Sequence, residues 1–285
     1  MARIVAVHGI TNENAGEETL GVPWRAAIRD GMRRAGVVER RLPRDRDFAV
    51  AFWGDLVRPA GRRSGGIQHL QPVDVDKGIE TELLDAWLET ALTTGQLPLL
   101  GEKSRSGRAP RSVQRALELL LRTPFFGGLG RVALLIGALR QVKDYLENPA
   151  LRIAARQRLS TLIGPDTKVV LGHSLGSVIA YEILCQREGE QTLDFVTLGS
   201  PLGMPRLVFN RLEPSPSRGH GVFPRTVRNW TNGAAPNDLV AMVKKLAPLF
   251  GKVRDIEIIT GATAHEVGPY FTGEQIGRAV AEALR

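Results

Sequence analysis

Short apolar runs recur along the chain, bounded by turn residues and separated by stretches of helical period. Arg3 to Val7 is the first, a β-rich run ending in His8-Gly9-Ile10 and a polar turn, Thr11-Asn-Glu-Asn-Ala-Gly16. Glu17 to Val38 follows with Leu20, Trp24, Ala27, Ile28 and Met32 at helical spacing, and Phe48 to Trp53 is again strand-like. Strand, helix, strand in that order predicts a right-handed crossover in a parallel sheet. The alternation resumes with a helix over Pro149 to Leu162, a buried strand from Lys168 and a helix whose apolar face holds Val178, Ile179 and Leu184. Strands at Leu193 to Leu198, Arg225 to Thr231 and Asp255 to Thr260 complete the pattern, with a helix expected over 239–249. The fold class is α/β, a mostly parallel sheet flanked by helices.

Residues 56–146 interrupt this rhythm. They contain no strand-like run bounded by turn signals, but helical segments at roughly 77–93, 111–122 and 128–147 between two basic, Gly- and Pro-rich stretches, Arg58 to Gly66 and Lys103 to Arg111. The chain therefore divides into a core of residues 1–55 and 147–285 and a helical cap or lid of residues 56–146. Leu129 to Leu139 is apolar almost all round and reads as a buried cap helix. Two motif-like stretches are set aside. Asp74-Val-Asp-Lys-Gly-Ile-Glu80 lacks a calcium loop and reads as a helix cap; Gly127-Gly-Leu-Gly130 follows no strand and lacks the lysine of a phosphate loop.

With 285 residues and 43% apolar content the chain has enough material for a sizeable core. Its amino-terminal apolar run is too short for a secretory signal, no run approaches a bilayer span, and the single cysteine, Cys185, suits a reducing compartment; a cytoplasmic location is expected. Net charge is +8, of which +6 falls in residues 56–168, so the basic loops around Arg62 and Arg108 could meet solvent or, peripherally, an anionic membrane. Nothing matches a nucleic-acid module or the ligand spacing of a metal site, so neither nucleic acid nor metal is expected.

The chemistry gathers at Gly172-His-Ser-Leu-Gly176, between the strand and the helix, which fits the G-x-S-x-G nucleophile elbow. Ser174 sits at the bend with its hydroxyl expected to be exposed, and side chains at Gly172 or Gly176 would collide with neighbouring backbone. Asp238, just past a strand end, belongs where a triad acid would lie, or caps the next helix, or does both; His265 follows the last strand. The order Ser174, Asp238, His265 is that of α/β-hydrolases. His8 is the runner-up base, His173 is expected to point elsewhere, and Ser200, Asp194 and Asp255 read as structural. Oxyanion donors are expected from the backbone N–H groups of Ile10 and Leu175.

Taken together, His8-Gly-Ile10, Phe52-Trp-Gly-Asp55, Gly172 to Ser177, Asn232 to Val240 and His265 to Tyr270 resemble the α/β-hydrolase superfamily, specifically its lipase-like bacterial serine esterases. The resemblance covers residues 1–55 and 145–285 and implies six strands in the order 2-1-3-4-5-6 with the elbow beside the first strand. The chain departs from it in lacking an HGGG motif and in its long insertion. The expected activity is cofactor-free hydrolysis of a carboxylic ester, lipid or small acyl, through an acyl-enzyme, with Leu134, Leu135 and Leu202 lining the acyl pocket. Alternatives are a thioesterase or amidase with the same triad, or a hydrolase-like binding or membrane-surface protein without turnover. Oligomeric state is left open.

Overall fold

A computed structural model describes residues 1–58, 70–98, 112–127, 131–189, 191–261 and 264–285. Six strands form one sheet: β1 (Ile4–Val7), β2 (Phe48–Ala51), β3 (Val169–His173), β4 (Leu193–Leu198), β5 (Val227–Ala234) and β6 (Val253–Glu257). Every neighbouring pair is parallel and the order is β2-β1-β3-β4-β5-β6. This is the order the resemblance implies. Strands β1, β3 and β4 are buried at every position or nearly so, as parallel strands covered by helices on both faces must be.

Alternation along each strand sends neighbouring side chains to opposite faces. Ile4, Ala6, Val169, Leu171, Val196 and Leu198 pack with α1 (Glu17–Arg34), α9 (Val267–Phe271) and α10 (Glu274–Ala283). Val5, Val7, Val170, Phe195 and Trp230 face the opposite layer. That layer includes α2 (Ile79–Thr93), α3 (Val113–Leu120), α5 (Val132–Glu147), α6 (Pro149–Ser160) and α7 (Leu175–Gln186); the four-residue α4 (Pro124–Gly127) and α8 (Ala247–Phe250) complete the helices described. The apolar residues of the insertion, among them Leu83, Trp87, Leu117 and Leu135, are continuous with the core beneath the sheet.

A buried ionic cluster fixes α7 against this layer. Glu182, fully buried on α7, accepts from Tyr145 Oη of α5 at 2.6 Å and Arg152 Nε of α6 at 3.1 Å, and Arg156 stands 3.6 Å away. A lone carboxylate here would be very costly; two guanidiniums and a phenol make its burial tolerable.

The helix expected over 239–249 is absent; only α8 forms. Tertiary partners take the backbone groups that a helix would use. Asp255 accepts from the N–H groups of Leu246 (2.8 Å) and Ala247 (2.9 Å), and Asn232 Nδ2 donates to Lys244 O at 3.0 Å. Asp255 is thus structural, and Asp194, paired with Arg228 at 3.0 Å, is too. Among the described residues, no helix is long and apolar enough to cross a membrane.

Candidate functional site

The sheet order changes direction between β1 and β3, since the chain goes from β1 outward to β2 and then returns to the other side of β1. A crevice at the carboxyl ends of the strands is the geometric result, and parallel α/β sheets bind ligands there. Ser174 stands at that point, between the end of β3 and the first residue of α7, with φ +54° and ψ −132°. A side chain in this region costs on the order of 1–2 kcal/mol, so the neighbours must hold it. They do: Ser174 N–H donates to Leu198 O at 2.9 Å, and Ser177 Oγ donates to Ser174 O at 2.6 Å. Ser200 Oγ, 2.6 Å from Ser177 Oγ, then serves as donor to it and accepts from Leu202 N–H, which makes Ser200 a brace of the elbow.

Both elbow glycines are sterically required. A Cβ on Gly172 would lie 2.5 Å from Ser177 Cα, and one on Gly176 would lie 2.3 Å from Val7 O. Gly9 makes the same demand from the β1 side, where a Cβ would come within 2.4 Å of Ser174 Cβ. That close cover corrects the expected exposure: Ser174 is only 2% accessible, on the floor of a cleft.

Asp238 and His265 hang from the loops after β5 and β6. His265 Nδ1 and Asp238 Oδ2 are 2.7 Å apart; the carboxylate accepts, so the proton lies on Nδ1 and Nε2 is left as the basic nitrogen. The second oxygen, Oδ1, accepts from the N–H groups of Val240 (2.9 Å) and Ala241 (3.2 Å), a helix-cap pattern without the helix. Tyr270 Oη donates to Oδ2 at 2.7 Å. Burial pushes the Asp238 carboxyl up, but His265, the Tyr270 hydroxyl and the Lys244 ammonium outweigh it and hold its pKa at about 2. It is a permanent anion at neutral pH.

Three supporting residues were not readable as such in the sequence. Tyr270 also accepts from Ala235 N–H at 2.9 Å, tying the acid's loop to α9. Gly199, at φ +55°, lies where a Cβ would be 2.7 Å from Asp238 Oδ2 and 3.0 Å from His265 Nδ1. His173 does not point elsewhere: its Nε2–H donates to His265 O at 2.8 Å, and burial, then His265, hold its pKa near 3, so it is neutral. His8 is committed too. Its Nδ1–H donates to Gly9 O at 2.7 Å and its Nε2 accepts from Trp53 N–H at 3.0 Å, which removes it as a base.

Those bonds orient the loop after β1. Gly9 O is taken by His8 and, at 3.3 Å, by Asn12 Nδ2, and in a trans peptide the N–H of Ile10 faces the opposite way. Thr11, at φ +65°, donates its N–H to Gln141 Oε1 of α5 at 2.9 Å, and Gln141 Nε2 donates to Glu13 at 3.0 Å. Leu175 is the first residue of α7, so helix geometry gives its N–H no intrahelical acceptor. Ile10 and Leu175 thus stay candidates for oxyanion donors.

The cleft over Ser174 has a volume of about 370 Å³. Its polar lining is Thr11, Asn12, His173, Ser174, His265 and Glu266; Ile10, Pro23, Trp24, Ala27 and Val267 give the apolar lining. Trp24 is held edge-on against Phe271, ring centres 5.3 Å apart. Pro23, Trp24 and Ala27 come from α1, Val267 from α9 and Ile10 from the loop after β1. Leu135 and Leu202 are fully buried in the core, Leu134 is 37% exposed, and none of the three lines this cleft. Arg62 and Arg108 lie outside the described residues. Among the described residues no group of three or more His, Cys, Asp or Glu side chains could hold a metal ion. Cys185 is half-buried and its pKa is pushed up to about 12 by burial, as suits packing.

No family model, no curated protein and no solved structure matches this chain.

Proposed function

We propose that the chain is a serine hydrolase of α/β-hydrolase type that cleaves carboxylic esters. One observation carries this reading: Ser174, held at a left-handed elbow, shares a cleft with His265, whose far nitrogen is fixed by the buried anion Asp238. His265 Nε2 takes the Ser174 proton as Oγ attacks the carbonyl carbon. The oxyanion is received by the N–H groups of Ile10 and Leu175, and the imidazolium returns the proton to the departing alcohol. Water then attacks the acyl carbon, giving a proton to His265, which passes it to Ser174 Oγ as the bond to the acyl group breaks and the acid departs. Asp238 keeps the Nδ1–H tautomer and stabilises the imidazolium. The apolar wall formed by Trp24, Ala27 and Val267 favours an uncharged acyl group of modest length.

A fluorophosphonate probe tests the reading, since it modifies only an activated serine. Stoichiometric labelling that Ser174→Ala abolishes, with hydrolysis of p-nitrophenyl esters lost in step, is the expected result. A folded parent that neither labels nor turns over any ester of the series would instead favour a binding protein.

A further inference from the structure

A cavity of about 1150 Å³ lies not over Ser174 but at the other end of the sheet. Arg3 precedes β1, Arg46 and Asp47 precede β2, and Lys168 precedes β3, so these residues share the amino edge of a parallel sheet. Arg3, Arg40, Arg41, Arg44 and Arg46 line the cavity together with the apolar Ala35, Val37, Val38 and Leu284, above the buried Met32 and Leu42.

The rim is built rather than loose. Leu42 anchors the segment, Arg29 Nη1 donates to Pro43 O at 2.8 Å, and the Asp47 carboxylate accepts Arg44 N–H at 2.8 Å. Asp47, the cavity's one lining carboxylate side chain, is thereby engaged on backbone. The neighbouring Arg25, Arg29 and Arg33 are ion-paired, with Asp45, with Glu39, and with Asp30 and Glu39. Arg40, Arg41, Arg44 and Arg46 have no carboxylate within ion-pair distance among the described residues. Clustered guanidiniums repel one another unless an anion joins them, and their planar forks match phosphate oxygens two at a time. One carboxylate would answer one fork; several phosphates answer the set.

We propose that this cavity binds clustered phosphate groups borne on an organic body, with the guanidiniums on the phosphates and the body on the apolar lining. The site is independent of the chemistry at Ser174, which opens at the opposite edge of the sheet.

Calorimetry and thermal-shift measurements on the full chain test it, with sodium tripolyphosphate as soluble probe and phosphatidylcholine vesicles containing phosphatidylglycerol as the surface-bound one. The expected result is tripolyphosphate binding that Arg41→Gln with Arg44→Gln weakens roughly tenfold or more, as losing charge-assisted bonds implies. Arg225→Gln, exposed before β5 and outside the cavity's lining, should leave it unchanged. Arg40→Gln with Arg46→Gln is a second pair, and circular dichroism verifies that each variant is folded. Vesicle binding without tripolyphosphate binding, lost in the same pairs, assigns the phosphates to a lipid surface. Absence of both, indifference to both pairs, or equal weakening by Arg225→Gln overturns the proposal.

Discussion

Replacing Asp238 by Asn changes one atom's chemistry and leaves the shape intact, so its consequences can be worked through donor by donor. Oδ1 must stay on the N–H groups of Val240 and Ala241, because the flipped amide would aim its NH2 at them. The new NH2 then faces His265 Nδ1 and Tyr270 Oη, both donors to the carboxylate. His265 can answer only by moving its proton to Nε2, the nitrogen that must accept from Ser174. The rate of fluorophosphonate labelling and of ester turnover should therefore fall on the order of 10⁴-fold, the effect of a wrong tautomer in a Ser-His-Asp site. Tyr270 already accepts from Ala235 N–H, so its buried hydroxyl proton loses its acceptor, a penalty of about 1–3 kcal/mol.

Stability carries a second signature. Asp238 is held at about 2 against an ordinary value of 3.8, a lowered pKa that contributes stability fully above about 4 and loses it as pH falls towards 2. The difference corresponds to about 2 kcal/mol. Urea midpoints at pH 4 and pH 2 should separate parent from Asp238→Asn by about that amount less at the lower pH. Tyr270→Phe should destabilise the parent but barely affect the Asn variant. Labelling within tenfold of the parent, or equal effects of Tyr270→Phe in both backgrounds, would refute the reasoning.

Gly199→Ala should lower stability by at least about 1 kcal/mol through its φ of +55°, and slow labelling by pushing Asp238 from His265; an unchanged urea midpoint counts against the close approach. Gln141→Leu removes the acceptor of Thr11 N–H and should reduce kcat by roughly tenfold or more with KM little altered; normal kcat would release α5 from any part in oxyanion placement. Ala27→Phe should raise KM for long-chain p-nitrophenyl esters far more than for acetate, whereas Leu134→Asp should alter neither; the opposite ranking would return the acyl pocket to the insertion.

Much of this was legible in sequence because the strands are short, apolar and punctuated, and because a nucleophile elbow is a local feature. Gly172, Ser174 and Gly176 lie within five residues, so spacing alone conveys the steric demand. Features made by distant segments were not legible. Tyr270 meets Asp238 across 32 positions, and Gln141 meets Thr11 across 130. Residues 239–249 carry helical spacing, yet Asp255 and Asn232, remote in sequence, claim their backbone groups. Leu134, Leu135 and Leu202 do not line the cleft over Ser174 for a related reason: apolar periodicity says that a helix is buried, not against what. Charge counted along the chain likewise averages over faces; residues 1–55 sum to +1, though Arg3, Arg40, Arg41, Arg44 and Arg46 converge on one cavity.

Helix α5 touches the elbow's surroundings at two places: Gln141 fixes the loop that carries Ile10, and Tyr145 reaches Glu182 on the helix that begins at Leu175. An embellishment that could be trimmed or exchanged between proteins would leave the scaffold's working parts self-sufficient. Here the scaffold has delegated to the insertion both a loop clamp and a counter-group for an interior carboxylate. A chimaera that replaces residues 56–146 must therefore reproduce an amide at 141 and a phenol at 145, or inherit a well-formed sheet whose two oxyanion candidates have drifted apart.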